Sequence, residues 1–194
     1  MINKVNMDGV KGYGEGAASV PKGGYVCRIM GAVAKQNSVG QYLEVSCDIA
    51  EGEYKDIFAT DYRAQTGEAK KWRCTAFVNV PKDDGTEKDL WTKRSFQTFI
   101  DALEQSNEQY HFDWDETKMK GLLVGAIFAG REWEDRDGNV HESTSIARWT
   151  SAEKIRTGRF RMPEDKKLTG SRKTAASAPR GAVLTPVNID ELPF

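Results

Sequence analysis

Apolar and polar residues alternate in several short stretches between about residue 24 and residue 150. The first stretch covers residues 24–30 and the second covers residues 42–49, with turn-forming residues at 36–40 between them. Alternation with a period of two places every second side chain on the same face of a β-strand. We therefore predict a β-hairpin over residues 24–50, with one face in the core and the other facing water or a ligand.

A third alternating stretch covers residues 71–80, after a segment at 55–70 that we interpret as a short strand or helix followed by a loop. One set of its side chains is apolar and is expected to face the core: Trp72, Cys74, Ala76, Val78 and Val80. The other set mixes cations, polar groups and one ring: Lys71, Arg73, Thr75, Phe77 and Asn79. Such a face is suited to a nucleic-acid strand.

One stretch has the periodicity of a helix. Its apolar residues recur at spacings of three and four, which places them in a single stripe: Phe96, Phe99, Ile100 and Leu103. Since Ser95 is a favourable N-cap, the pattern predicts a helix over about 96–107 with its stripe in the core. A short helical turn is expected over 114–120, ended by Gly121.

The second half of the chain predicts another hairpin. Residues 122–128 are apolar on both faces, as in a central buried strand. Asp137 and Gly138 form a strong turn signal, and residues 140–149 follow as a partner strand. Ser151 begins a possible short helix, and after Pro163 the chain has little to bury.

Together these elements predict a mainly β protein with one main helix. Five strands with a helix between the third and the fourth is the order of the OB-fold, a small barrel that binds oligonucleotides on one face. We therefore expect an OB-fold-like five-stranded barrel and a disordered C-terminal tail. The expected organisation is a flexible N-terminal arm at 1–20, an OB-like domain at 21–162, a basic disordered linker at 163–187 and an acidic tip at 188–194.

Composition narrows the function classes. No apolar run is long enough to span a membrane and no signal peptide is recognisable, so we expect a cytoplasmic protein without a membrane partner. The three cysteines form no CxxC pair and there are only two histidines, so no disulfide, metal site or other cofactor is expected. No Ser/His/Asp or Cys/His arrangement stands out, and we expect a binding protein rather than an enzyme.

The net charge of −1 conceals an asymmetry. Between Arg148 and Arg180 there are ten Lys or Arg residues and three acidic ones, so this segment carries +7 and the remainder carries −8. A basic segment followed by an acidic tail indicates a polyanionic partner, although a solvated linker would also have this composition.

Cations stand beside aromatic rings at several places, and unpaired nucleic-acid strands require both groups. The expected DNA-binding residues are Tyr62, Arg63, Lys71, Arg73, Phe77, Trp91, Lys93, Arg94, Arg131, Trp133, Arg148, Trp149, Lys154, Arg156, Arg159 and Arg161. Trp72 and Trp114 are expected to be structural. Nothing in the chain indicates readout of base edges, so binding is expected to be largely independent of sequence.

The last seven residues combine a negative charge with an apolar end. Asp190 and Glu191 precede Leu192, Pro193 and Phe194, a combination that a basic pocket with an apolar slot could capture. This tip resembles the C-terminal tip of bacterial single-stranded DNA-binding proteins, which docks replication, recombination and repair enzymes in that family. The resemblance implies a partner-binding role for these five residues.

The rest of the chain resembles a family of phage and prophage proteins from Gram-positive bacteria that is associated with replication. The similarity runs through residues 23–29, 48–56, 81–100 and 114–121, and covers most of residues 20–165. It implies a protein that binds and protects single-stranded DNA during phage replication or recombination, inside the bacterial host cell. The oligomeric state is left open, and a homo-oligomer is compatible with the sequence.

Two alternatives remain at this point. Asp61 followed by Glu68 and Lys70 is a loose version of the acidic pattern of metal-dependent nucleases. A non-catalytic adaptor is the other alternative, with one protein held by the domain and a second by the tip.

Overall fold

The computed structural model describes residues 18–66 and 69–168. Its strands are β1 Gly23–Gln36, β2 Gln41–Ile49, β3 Thr75–Asn79, β4 Leu123–Glu134 and β5 Val140–Thr150. Its helices are α1 Ile57–Ala64, α2 Glu87–Ser106 and α3 Ala152–Arg156, with a 3₁₀ turn at Glu116–Met119. The mainly β fold predicted from the sequence is confirmed.

All five strands belong to one antiparallel sheet with the order β3-β2-β1-β4-β5. The central position of β1 and the location of α2 between β3 and β4 follow the OB order. The sheet does not close, however, because its edge strands β3 and β5 are not hydrogen-bonded to each other. "Barrel" is therefore a loose description, and we call the gap between β3 and β5 the seam.

The predicted N-terminal hairpin is present as β1 and β2, which pair from Cys27↔Ile49 to Gln36↔Gln41 with an irregularity between Ile29 and Gly31. Alternation sends Ile29, Val45 and Cys47 into the core, where none of the three has measurable exposure. The opposite face of β1, β2 and β3 points away from the core, and we call it the outer face.

The main helix is longer than the predicted 96–107. It begins at Glu87 with Thr86 as its N-cap, whose hydroxyl accepts a hydrogen bond from the Asp89 amide at 3.1 Å. The expectation that Ser95 is the N-cap is therefore wrong, because the first two turns carry mostly polar residues and show no apolar stripe. The predicted stripe itself is buried as expected, at Phe96, Phe99, Ile100 and Leu103.

The segment after β2 is the short helix α1, one of the two forms expected for it. Asp48 at the end of β2 is buried, and its carboxylate accepts hydrogen bonds from the amides of Phe58 and Ala59 at 3.1 and 2.9 Å. A carboxylate at a helix N-terminus satisfies amides that have no partner within the helix. The short third strand then begins at Thr75, so Lys71 and Arg73 precede it.

The predicted second hairpin is present as β4 and β5, and Ser151 is the N-cap of α3, accepting from the Lys154 amide at 3.4 Å. Beyond α3 the chain lies beside β4 rather than leaving the domain. Lys166 exchanges backbone hydrogen bonds with Gly130 and Glu132 at 2.8 and 2.9 Å. Residues 163–168 of the predicted linker thus contact the sheet, and residues 169–187 lie outside the described part of the chain.

The described start of the chain also packs on the domain. Val20 is buried in the core, and its carbonyl accepts a hydrogen bond from the Thr144 hydroxyl at 2.5 Å. The rest of the predicted arm, residues 1–17, lies outside the described residues. Within 18–66 and 69–168, no helix combines the length and the apolar character that a membrane span requires.

Candidate nucleic-acid interface

A row of three side chains crosses the outer face of the sheet, with a carboxylate between two apolar residues. The register places Val33 of β1 opposite Glu44 of β2, and Glu44 opposite Phe77 of β3. Phe77 is 66% exposed and Val33 is 53% exposed, although each sits on a strand whose other face is core. The Tyr42 ring meets the Phe77 ring nearly edge-on, with centroids 5.8 Å apart and an interplanar angle of 70°. The face therefore presents a fixed aromatic surface to solvent.

Charges on this face are few and mostly paired. Lys35 lies opposite Tyr42, and its Nζ is 2.6 Å from a carboxylate oxygen of Glu44. The hydrogen bond to Glu44 raises the pKa of Lys35, which stays protonated. Arg28, further down β1, is exposed and makes no ion pair within the described ranges. The rings of the outer face are thus bordered by a small number of cations.

A second group of cations and rings lies where the chain enters β3. The Tyr62 and Trp72 rings pack at a centroid distance of 5.6 Å, and Lys70 Nζ is 5.7 Å from the Tyr62 centroid. The Trp72 indole donates to the Cys47 carbonyl at 2.8 Å, so Trp72 is structural as expected. Arg73 is held by Asp61, with 2.9 Å between Nε and Oδ2. Predicted residues Arg63 and Lys71 are exposed beside this group.

The seam is a cleft of about 450 Å³ that extends the outer face towards β5. Phe77 and the rest of β3 line one side, and Ser145, Ile146 and Ala147 of β5 line the other. Two cations, Arg131 of β4 and Lys166, and one carboxylate, Glu164, also line it. Arg131 has no ion pair among the described residues, so its charge is available to a ligand. The seam brings Phe77 and Arg131 together, although they are 54 positions apart in the chain.

Three predicted residues lie near the start of α2 but have different surroundings. Trp91 is 63% exposed, and the Arg94 guanidinium lies 5.6 Å from the centre of its ring. Ser95, one turn after Trp91, lines the seam, so Trp91 lies on that side of the helix. Lys93 instead contacts Asp83 and Asp89, at 2.5 and 3.4 Å, and its charge is neutralised.

Trp133 lies at the far end of β4, opposite His141 of β5. The two rings stack at 4.7 Å with an interplanar angle of 26°, and 42% of Trp133 is exposed. A ring nitrogen of His141 is 2.9 Å from Asp135 Oδ2. This hydrogen bond, with those from Asn139, holds the pKa of Asp135 well below its ordinary value. The hairpin end therefore offers a rigid pair of rings beside a carboxylate.

Two neighbouring residues of β5, Arg148 and Trp149, were both predicted to bind DNA, but only Arg148 lies on the surface. Arg148 is exposed and makes no ion pair in the described part of the chain. Trp149 is half-buried, and its ring lies 5.0 Å from that of Phe99. Because Phe99 is fully buried, Trp149 serves mainly to cover the core.

The cations of α3 and the following loop lie beside β1 and β4, away from the row formed by Val33, Glu44 and Phe77. Ile155 packs over Gly24 and Gly125, where a Cβ atom would be only 2.8 and 2.7 Å from its side chain. Arg156 makes two hydrogen bonds to Glu51, at 2.6 and 3.1 Å, so its charge is engaged. Lys154, Arg159 and Arg161 are exposed, and no ion pair to them occurs within residues 18–66 and 69–168.

No reactive nucleophile is found among the cysteines. Cys27, Cys47 and Cys74 are buried and unbonded to one another. Burial raises the pKa of the first two thiols well above the ordinary value and that of Cys74 to about 12. Because the thiolate is the nucleophilic form, these side chains are inert in the folded state.

The acidic pattern considered for a nuclease is only partly described, since Glu68 lies outside the described residues. Asp61 accepts hydrogen bonds from Arg73 and from the Gln65 amide, at 2.9 and 2.8 Å. Within the described ranges, no group of three or more His, Cys, Asp or Glu side chains is arranged to hold a metal ion. The partner-binding tip, Asp190, Glu191, Leu192, Pro193 and Phe194, also lies outside the described residues.

Sequence reasoning missed part of the outer face and misplaced one ring. Tyr42, Lys35 and Val33 were not among the expected binding residues, although the polar side of the β2 pattern already contained Tyr42. Trp114 was expected to be structural, yet 69% of it is exposed. Its ring stacks on the buried Phe96 at 5.8 Å and 13°, so only one of its faces is covered by that contact.

Comparison with known proteins adds no relative. No protein-family model matches the chain, and the search of curated proteins finds no match.

Proposed function

We propose that this protein binds single-stranded DNA, largely without regard to sequence, through the outer face and the seam. The observation that supports this proposal is Phe77, a large apolar ring that is 66% exposed on the edge strand β3, beside the seam. Stacking on an unpaired base would bury this ring and contribute roughly 1–3 kcal/mol per base. The Tyr42 ring packs against the Phe77 ring, and Val33 adds a second apolar group on the far side of Glu44.

Cations that could bind DNA phosphates lie on both sides of the Phe77 ring. Arg131 and Lys166 line the seam on one side, and Lys71 precedes β3 on the other, near Arg73, which is paired with Asp61. The Trp91–Arg94 pair adds a second ring and a cation on the seam side of α2. A strand that crosses from the start of β3 to the seam would contact phosphate-binding groups at both ends and rings in the middle.

From the resemblances of the sequence we propose that this activity serves phage replication or recombination and that the acidic tip recruits partner proteins. The OB-like strand order supports the same proposal, since that fold uses the face of strands 2 and 3 for oligonucleotides. We propose binding and protection of the strand, and no reaction upon it.

The test is a fluorescence titration of the full-length protein with oligo-dT at low ionic strength. We expect quenching of tryptophan emission and an affinity that falls as salt rises, with a slope of about −0.7 per phosphate contact. A duplex of the same length serves as control and should bind more weakly. Absence of binding at low salt would overturn the proposal, and cleavage of the labelled strand with Mg²⁺ present would favour the nuclease alternative.

A further inference from the structure

A groove beside α2, on the side away from the seam, has three aromatic residues in its lining. It has a volume of about 550 Å³, and its apolar lining consists of Pro81, Phe96, Ile100, Phe112 and Trp114. Phe112 and Trp114 lie 5.5 Å apart at 50°, and Trp114 lies parallel to Phe96. An open groove of parallel and inclined rings is the kind of surface that holds proline-containing segments in an extended conformation.

Trp114 is held in its exposed position by the backbone. Its φ of 68° lies in the left-handed region, which a bulky side chain rarely adopts. The residues on either side are anchored, since Asp113 pairs with Lys118 and Asp115 accepts hydrogen bonds from the amide and hydroxyl of Thr117. The loop therefore keeps a large ring in solvent, in a conformation already suited to a ligand.

The charge of the groove disfavours DNA as its ligand. Asp83 and Glu104 line it together with one cation, Lys93, so the lining carries a net charge of −1, and the buried Asp89 also contacts Lys93. Asp113 and Asp115 flank the exposed ring of Trp114. Carboxylates at the rim repel phosphate and attract Arg or Lys. The expected ligand is thus a peptide in which an arginine stands next to proline.

The chain contains such a segment. Residues 169–187 carry Arg172, Lys173 and Arg180 and no acidic residue, and Pro179–Arg180 is followed by Leu184 and Pro186. Eleven residue-to-residue steps lead from Leu168 to Pro179 and can span about 36 Å when extended. That distance is comparable with the width of a domain of roughly 150 residues. We propose that the groove binds the segment around residues 177–187 of its own chain, with proline against the rings and Arg180 at the carboxylates.

The proposal is tested without DNA, so its outcome is independent of the nucleic-acid titration. The probe is a fluorescein-labelled synthetic peptide of residues 177–187, measured by anisotropy against the full-length protein. In a full-length variant with Pro179→Ser, Arg180→Ser and Pro186→Ser, the chain's own segment no longer competes. We expect this variant to bind the peptide about tenfold more tightly than the natural chain does.

Further substitutions in the variant background locate the site. Trp114→Ala should weaken peptide binding by about thirtyfold, as for an aromatic residue at the centre of an interface. Glu104→Gln keeps an acceptor for the Phe112 amide, which now donates at 2.9 Å, and should weaken binding severalfold through loss of charge. Trp91→Ala removes an equally exposed tryptophan across the helix and should change nothing.

Three results would overturn the proposal. The first is failure of the peptide to bind the triple variant. The second is an equal effect of Trp114→Ala and Trp91→Ala, with Glu104→Gln also without effect. The third is equal affinity of the peptide for the natural chain and the triple variant, which would assign the groove to a different polypeptide.

Discussion

Trp91 and Trp114 are exposed to nearly the same extent, at 63% and 69%, on opposite sides of α2. Trp91 shares its side with Ser95 of the seam and has the Arg94 guanidinium over its ring. Trp114 stacks on Phe96 and is flanked by Asp113 and Asp115. Successive residues of an α-helix are rotated by about 100°. The seam residue Ser95 therefore lies on the opposite side of α2 from the groove residues Lys93, Gln97 and Glu104.

The comparison teaches that an exposed ring does not by itself identify a ligand. Both rings offer an apolar face, and stacking on a base or on a proline would cover either of them. The charges around each ring determine which kind of ligand it suits, because a cation beside the ring attracts a phosphate backbone whereas carboxylates repel it. One helix thus separates a surface suited to nucleic acid from a surface suited to a basic peptide.

The largest expected effect is on stability, and it distinguishes the core side of α2 from its two exposed sides. Phe99→Ala should lower the free energy of unfolding by about 3–5 kcal/mol, because the ring is fully buried and supports Trp149. Trp91→Ala on the same helix should stay within about 0.5 kcal/mol, since its ring is mostly in water. Urea denaturation of the two variants measures this difference. Losses of similar size would mean that Trp91 is packed rather than exposed.

The second-largest expected effect is on the affinity for single-stranded DNA. Phe77→Ala should weaken binding to oligo-dT by about 1–3 kcal/mol, as expected for loss of one stacked base, with stability unchanged. Trp114→Ala should leave the affinity for oligo-dT at its natural value, because its surroundings are acidic. Tryptophan quenching reports the first variant directly, and anisotropy of a labelled strand reports both. If Trp114→Ala weakened binding as much as Phe77→Ala, the division between the two surfaces would be wrong.

The smallest effect is a change in salt dependence. Arg131→Gln removes a cation of the seam that is free of ion pairs among the described residues, and should reduce the salt slope by about 0.7. Lys93→Gln is the matched control, because Lys93 is already neutralised by Asp83 and Asp89 and should hardly change the slope. Titrations at four or more salt concentrations give both slopes. Equal slopes for the two variants would remove Arg131 from the proposed DNA path.

Much of the fold could be predicted because local patterns survive folding. The alternation over residues 42–49 and 75–79 reappears as β2 and β3, and the stripe from Phe96 to Leu103 is buried. The start of α2 could not be predicted from apolar spacing, since its first turns are stabilised by the Thr86 cap and the buried Asp89. The open sheet, where a barrel was expected, also could not be predicted, because pairing between sheet edges depends on the curvature of all five strands.

The candidate site was predictable only in part. Phe77 was recognised from the polar side of its strand pattern, and it is exposed there. The patterns that singled out Lys93, Arg156 and Trp149 were equally plausible, but the first two are engaged by carboxylates and the third packs on Phe99. Ion pairs between residues such as Glu51 and Arg156 join positions far apart in the chain, which no local pattern reveals.

By itself the sequence determined which residues alternate, which form the helical stripe, and that basic and acidic residues are segregated towards the C-terminus. These properties are local, since a strand or helix distributes neighbouring side chains between its faces by geometry alone. Only the tertiary structure decided that Phe77 and Arg131 line the same open seam and that Trp114 lines a groove with Asp83 and Glu104. The reason is that strand order and helix packing determine which residues surround an exposed ring, and these residues are far apart in the chain.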